Sequence, residues 1–350
     1  MTFTSISLRS RCSAALLATA CCLLVPASLP AFGDQLALRF AADLARLSGE
    51  TIQVKAISPL ADGGLAVLAV SPENRSTPPR VLRISGSGVL AGKQILFGFS
   101  HHVSGMSIDD ASTITLVDRA ASVPSGSRAA FRTIAEGGAA STKALAESGV
   151  AAFFTRHGDV FYMTTDGAVW RAGERSPRLA LIADKAEFQQ HLILPSGVSF
   201  FPLPGERVGA VAKTSATLYV GSLERGTSER VTMACPELAR AKQTYALIAE
   251  QAKQHLPEAK HFANPAPALA STADEEGHIY TLVSPYSLKT GATVVQSDTD
   301  GRQAALLRFP LTVFPDARFG PYFLAVRQGT LYVAAPDGKV AAFALRGETR

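Results

Sequence analysis

A spacing of about fifty residues at which the sequence resembles itself constrains this chain more than any other feature. A repeated unit that cannot bury its own faces must bury them against its copies. Six segments share one order of parts: an apolar strand, a short polar turn with Gly or Asp, a second strand of β-branched and aromatic residues, and often a third strand after another turn. They open at Val54 (VKAISPLADGGLAVLAV), Val103 (VSGMSIDDASTITLVDR), Val150 (VAAFFTRHGDVFYMTTDGAVWRAG), Val208 (VGAVAKTSATLYVGSL), Pro267 (PALASTADEEGHIYTLV) and Pro321 (PYFLAVRQGTLYVAAPDGKVAAFAL). Anchored on the first apolar residue of the second strand, the units fall at Leu65, Ile114, Val160, Leu218, Ile279 and Leu331, at intervals of 49, 46, 58, 61 and 52 residues.

A quasi-period of this length with several strands per unit is the signature of a β-propeller, whose four-stranded blades stand around a central axis. Strand composition points the same way, because LAVLAV, VFYMTT, TLYVGS and LYVAA are nearly continuous apolar runs. A sheet buried on both flanks needs apolar residues at both alternations, whereas a sandwich sheet with one wet face alternates apolar with polar. An irregular β-sandwich, or a pair of them, is the competing architecture. The expectation is an all-β, six-bladed β-propeller occupying residues 34–350 as one domain.

The last unit ends after its third strand, AAFAL, at Leu345, one strand short of a blade. The segment QLALRF, from Gln35 to Phe40, stands free before the first unit and is expected to complete the last blade, removing an open edge. Leu36, Phe40, Leu44 and Leu47 also fit a helical period, so a helix from Leu36 to Leu47 competes for the stretch. Two stretches interrupt the repeat. From Pro236 to Leu256 apolar residues recur at three and four, and Pro236 suits a first helical position, which predicts an amphipathic helix within an insertion at 236–261. Asp184 to Arg207 (with LILPSGVSFFPLPGER) reads as a long, Pro-rich connection between the third and fourth units, of the kind that often serves as a binding loop.

Residues 1–33 read as an export leader. Arg9 and Arg11 precede the uncharged run SAALLATACCLLV, and Ala31 and Gly33 take the small-residue positions for cleavage after Gly33. A lipoprotein reading, with ATAC from Ala18 to Cys21 as the processing box and Cys21 lipidated, competes less well because the apolar run continues past the cysteine. That run is too short to span a bilayer comfortably, and no later segment is long and apolar enough to be read as a transmembrane span. The expected address is therefore extracytoplasmic, either periplasmic or secreted. Loss of the leader lowers the formal charge from +5 to +3 and removes three of the four cysteines, leaving Cys235 alone. So weak a charge offers no footprint for nucleic acid, and one cysteine cannot form an intramolecular disulfide. With 47% hydrophobic and 18% charged residues, the composition also excludes disorder.

These units resemble the six-bladed propellers of the NHL and TolB-like group, whose blades read strand, D/N-G turn, a second strand of the type I-Y-V-x-D, then R-V-x-x-F. GGLAVLAV with RVLRI, STITLVD, GDVFYMTTDGAVWR and GTLYVAAPDGKVAAF carry the likeness over Val54 to Leu345. The group includes hydrolases, lyases, dehydrogenases and binding scaffolds, so the likeness implies a fold and leaves function to the site. The aspartate that often follows the second strand appears once here, at Asp118.

The resemblance implies a ligand face built by the loops between second and third strands and by the links between blades. Mapped onto this chain, that face gathers Asn74, Arg75, Asp118, Arg119, Asp166, Glu224, Arg225, Tyr286, Lys289 and Asp337, with His101, His102, Lys143, His261 and Arg318 from the links. Most are expected to be solvated loop residues. His101 or His102 beside Asp118 could hold a divalent metal for a hydrolase or lyase, although adjacent residues on an extended chain point to opposite faces. Cys235, just before a helix, is either an activated thiol or a small buried hydrophobe. No phosphate loop, dinucleotide fingerprint, G-x-S-x-G or metal cluster occurs, so no cofactor is indicated by motif. The expected function is a monomeric module binding a protein or small-molecule ligand at the propeller mouth, through exposed apolar loop residues such as Phe200, Phe201 and Tyr286.

Overall fold

The computed structural model describes residues 34–123, 126–135, 138, 140–144, 149–183, 197–255, 267–283, 292–309 and 322–345. These form six four-stranded antiparallel sheets, one of them extended by a short parallel strand. Strands β1 (Asp34–Gln35) and β2 (Ala37–Asp43) come first, followed by helix α1 (Leu44–Ser48). Blade I comprises β3 (Gln53–Pro59), β4 (Leu65–Val70), β5 (Arg80–Ile84) and β6 (Leu90–Ile95). Blade II is β7 (Val103–Ile108), β8 (Ile114–Val123), β9 (Gly126–Ile134) and β10 (Ala140–Ala144). Blade III is β11 (Val150–Arg156), β12 (Asp159–Thr164), β13 (Ala168–Arg171) and β14 (Leu179–Ala180). Blade IV is β15 (Val198–Leu203), β16 (Arg207–Ala212), β17 (Thr217–Ser222) and β18 (Thr227–Thr232), after which helix α2 (Pro236–His255) leads toward blade V. Blade V is β19 (Ala268–Ala273), β20 (Ile279–Val283), β21 (Ala292–Ser297) and β22 (Gln303–Phe309). Blade VI holds β23 (Phe323–Arg327), β24 (Thr330–Ala334) and β25 (Lys339–Ala344).

Closure follows the expected route. Strand β2 pairs antiparallel with β25, with Leu38 opposite Phe343 and Asp43 opposite Lys339, and so supplies the fourth strand of blade VI. Strand β1 runs parallel to β22 at the edge of blade V, so the N-terminal strands join the last two blades. The helical alternative survives only as α1, where Asp43 caps Arg46 N–H and Gly49, at φ 70°, ends the turn in the left-handed conformation that glycine adopts without steric cost. Around the axis, the inner strands β3, β7, β11, β15, β19 and β23 each touch both neighbours, and β23 touches β3.

The near-continuous apolar strands have a direct cause in this geometry. Among the described residues the buried side chains form six clusters, one at each junction between successive blades. In β4, Leu65, Val67 and Ala69 face the blade VI junction while Ala66, Leu68 and Val70 face the blade II junction, and all six are fully buried. Side chains alternate across a strand, so a strand serving two interfaces has no polar face to spare. Burying each Val or Leu contributes roughly 1.5–3 kcal/mol. Aromatic pairs bridge the same junctions, with Phe154 of blade III 4.9 Å from Phe200 of blade IV and Phe309 of blade V 4.7 Å from Phe343 of blade VI.

Blade IV corrects the frame of the repeat. Its inner strand is Val198–Leu203, part of the stretch taken for a Pro-rich connection, and residues 184–196 lie outside the described residues. An inner strand is a sheet edge facing the channel, where a proline such as Pro202 removes no ladder hydrogen bond on that side. Phe200 and Phe201, expected as exposed loop residues, are 8% and 3% exposed and fill the junctions with blades III and V. Val208 then belongs to the second strand, 48 residues after Val160, so four blades share nearly one spacing and the whole excess falls before Ile279, where α2 is inserted. The start of α2 is held at the IV–V junction by Leu238 and Ala241. Residues 256–261 of the expected insertion lie outside the described residues.

Candidate functional site

Strand direction defines two ends of the ring. Inner strands begin at the end where second strands finish, and the cavity of about 240 Å³ on the axis lies at that end. All six inner strands line it near their starts, through residues such as Ala56, Met106, Phe153, Phe200, Ser271 and Leu324. This end is the mouth.

Two lysines enter an otherwise apolar and hydroxyl-bearing lining, and no carboxylate lines the cavity among the described residues. Lys55 gets there through a β-bulge: Val54 pairs with Ala69 and Ala56 with Leu68, leaving Lys55 as the extra residue. A bulged residue leaves the alternation of the strand and its side chain is re-aimed. The same irregularity recurs at the starts of three other inner strands, at Gly105, Ala151 and Leu269. At Gly105, with φ 78°, an added Cβ would lie 2.7 Å from Phe153, so the glycine makes room for that ring at the II–III junction.

Lys213 arrives differently, as the first residue of the turn from β16 to β17. Its N–H donates to Gly197 O at 2.9 Å and its carbonyl accepts the N–H of Ala268 at 3.2 Å, which locks the backbone between blades IV and V. The residue is 8% exposed, and burial pushes its ammonium from the usual lysine range down to about 8. Burial also lowers Lys55. Among the described residues neither lysine has an acidic partner.

The expected ligand-face residues distribute differently. Asp118 is 1% exposed and engaged: it accepts Ser100 N–H at 3.1 Å and Ser100 Oγ–H at 2.5 Å, and Arg132 Nη1 lies 3.6 Å away. Arg132 in turn stacks 3.6 Å over the Phe99 ring, so Asp118 fastens the link between blades I and II. His101 Nε2 lies 2.7 Å from Ser71 O. Ser71 directly follows a second strand, as Lys213 does. In blade IV that carbonyl takes a backbone N–H of the next blade, whereas in blade I an imidazole sits against it. His102 is exposed, and its N–H donates to Ser100 Oγ. These contacts do not assemble a histidine–carboxylate pair.

Arg225 and Glu224 need correcting. They sit in the turn after β17, which is the third strand of its blade, so they lie at the end of the ring opposite the mouth. The error follows from the frame: counting one strand short reverses the end at which every later turn of the blade emerges. Asn74, Arg75, Asp166 and Asp337 are exposed turn residues at the mouth end. The side chains of Arg119 and Lys143, and residues Tyr286, Lys289, His261 and Arg318, lie outside the described residues. Sequence reasoning missed Lys55 and Lys213. The signals were a lysine interrupting the apolar start of VKAISPL and the equal spacing that puts KTSA in a mouth turn.

Among the described residues one acidic and histidine group, Asp274, Glu276 and His278, lies in the turn between β19 and β20, away from the mouth. Asp274 is occupied there by the N–H groups of Glu276 and His278 and by Tyr280 Oη–H. Cys235 is buried, and desolvation pushes its thiol up to about 11, which makes it the small hydrophobe rather than the activated nucleophile. No helix among the described residues is long and apolar enough to cross a membrane.

No family model and no curated protein matches the sequence. Solved structures match at the level of fold. A virginiamycin B lyase from Staphylococcus aureus aligns at TM-score 0.49 and 10% identity, covering 88% of this chain and 99% of that one. A gluconolactonase from Xanthomonas campestris aligns at 0.48 and 10%, covering 84% and 87%, and YCF48 bound to D1 peptide at 0.46 and 12%, covering 90% and 85%.

Proposed function

We propose that this propeller is an exported binding module whose ligand seats in the axial mouth. The observation that carries the reading is the cavity itself, to which every inner strand contributes and whose lining combines apolar side chains, hydroxyls and two lysines. Binding sites are concave, mostly apolar and furnished with a few placed polar groups. At about 240 Å³ it falls just below the roughly 300–1,000 Å³ of drug-sized pockets, so the part of the ligand that enters is small. Export rests on residues 1–33 alone, and fractionation of cells expressing a C-terminally tagged chain tests it.

The test of the mouth is a fragment screen by thermal shift on the wild-type protein and on Ala151→Trp. Ala151 is the bulged residue of β11 and lines the cavity, so an indole there fills it. Fragments that stabilise the wild type are expected to leave the melting temperature of the variant unchanged. Equal stabilisation of both proteins would place binding elsewhere.

A further inference from the structure

An ammonium buried without a counter-ion is costly, because its lost hydration is returned only by a partner charge or by hydrogen bonds. Lys213 is 8% exposed, fixed through its backbone to two blades, and opens onto a cavity that also receives Lys55. Nothing in the fold of blade IV requires a lysine there. Thr165, which directly follows the second strand of blade III, makes the same backbone bond, from its N–H to Gly149 O at 2.8 Å, with an uncharged side chain. The two lysines come from different blades by unrelated routes, a bulge and a turn, yet line one cavity with no carboxylate among its described lining.

Resting on the reading of the mouth as the ligand site, we propose that Lys55 and Lys213 form an anion subsite that takes the carboxylate of a small organic acid. Met106, Phe153, Phe200 and Leu324 receive the apolar body of that acid. Ser199 adds a donor: its Oγ accepts Ser271 N–H at 3.0 Å, which leaves its own O–H available to the ligand. Lysine suits this role as a compact charge that can meet a carboxylate oxygen from several directions. The ligand carboxylate supplies the counter-ion that the protein withholds, so acids are selected over neutral molecules of the same shape.

Calorimetric titration of the full-length protein with phenylacetate and with its neutral isostere phenylacetamide tests the subsite. The acid is expected to bind at least tenfold more tightly than the amide. Lys213→Met should weaken the acid at least tenfold while leaving the amide unchanged, and Lys55→Met should act in the same direction, with both variants checked for an intact melt. Equal affinity of acid and amide, absence of acid binding at millimolar concentration, or full acid affinity in both lysine variants would overturn the proposal. Ala151→Trp separates the two claims. If acid and amide bind equally and both are lost in that variant, the mouth stands and the anion subsite falls. If the acid still binds the filled mouth, the reading of the mouth falls as well.

Discussion

The carbonyl of Lys213 accepts the N–H of Ala268 at 3.2 Å, so one residue closes the second strand of blade IV and opens the inner strand of blade V. That bond, with the one from Lys213 N–H to Gly197 O, ties the backbone that carries this side chain to both blades.

Lys213 should therefore be a stability liability that alkali relieves. Its folded pKa of about 8 lies below the ordinary lysine value of 10.5, so the unfolded chain binds more protons between those limits and stability rises with pH across them. Below about 8 the penalty is complete and on the order of 3 kcal/mol. Lys213→Met should raise the urea midpoint at pH 7, with the gain over wild type shrinking toward pH 10. Cys235 and Tyr322, held up at about 11 and about 12, act in the opposite sense above pH 9 in both proteins, so the difference between the two isolates the lysine. An identical pH profile for variant and wild type would contradict the burial argument.

Asp118 should behave as a fastening. Asp118→Ala removes two hydrogen bonds from Ser100 and the carboxylate beside Arg132, and leaves the arginine partly buried. A loss of about 2–4 kcal/mol is expected by urea denaturation. Ligand binding in the surviving fold should be unchanged, and a stable variant that has lost binding would return Asp118 to the site.

Ring closure depends on β2. Phe40 is 6% exposed in the cluster shared by blades VI and I, and Phe40→Ala should cost about 3–5 kcal/mol. Deletion through Asp43 should leave β25 as an open edge and produce oligomers on size-exclusion chromatography. A monomeric, fully stable truncation would show that the fourth strand of blade VI is dispensable.

Cys235 should resist a thiol reagent at pH 8 in the native protein and react completely in urea, because its thiol titrates at about 11 behind a buried surface. Rapid native labelling would mean that the IV–V junction opens.

The blades, their number and the N-terminal closure were legible because each is written in periodicity: β4 is apolar at every position since both its flanks are interfaces, and AAFAL visibly lacks a partner. Blade IV was misframed because Pro202 reads as a loop signal, and only the ring reveals that an inner strand is an edge where proline is tolerated. That slip of one strand moved Arg225 to the wrong end of the molecule and hid Lys213. Lys55 showed only as a lysine interrupting an apolar start: alternation assigns it a face, and the bulge that takes it out of that alternation shows only in the pairing of Val54 and Ala56 with their partners.

The charge state of the Lys213 side chain decides whether the mouth holds an unpaired ammonium. An NMR titration of the protein carrying 13Cε-labelled lysine, with Lys213 assigned by its absence in Lys213→Met, reads that state. A midpoint near 8 is expected, and a midpoint near 10.5 would show the ammonium solvated or paired and would remove the basis of the anion subsite.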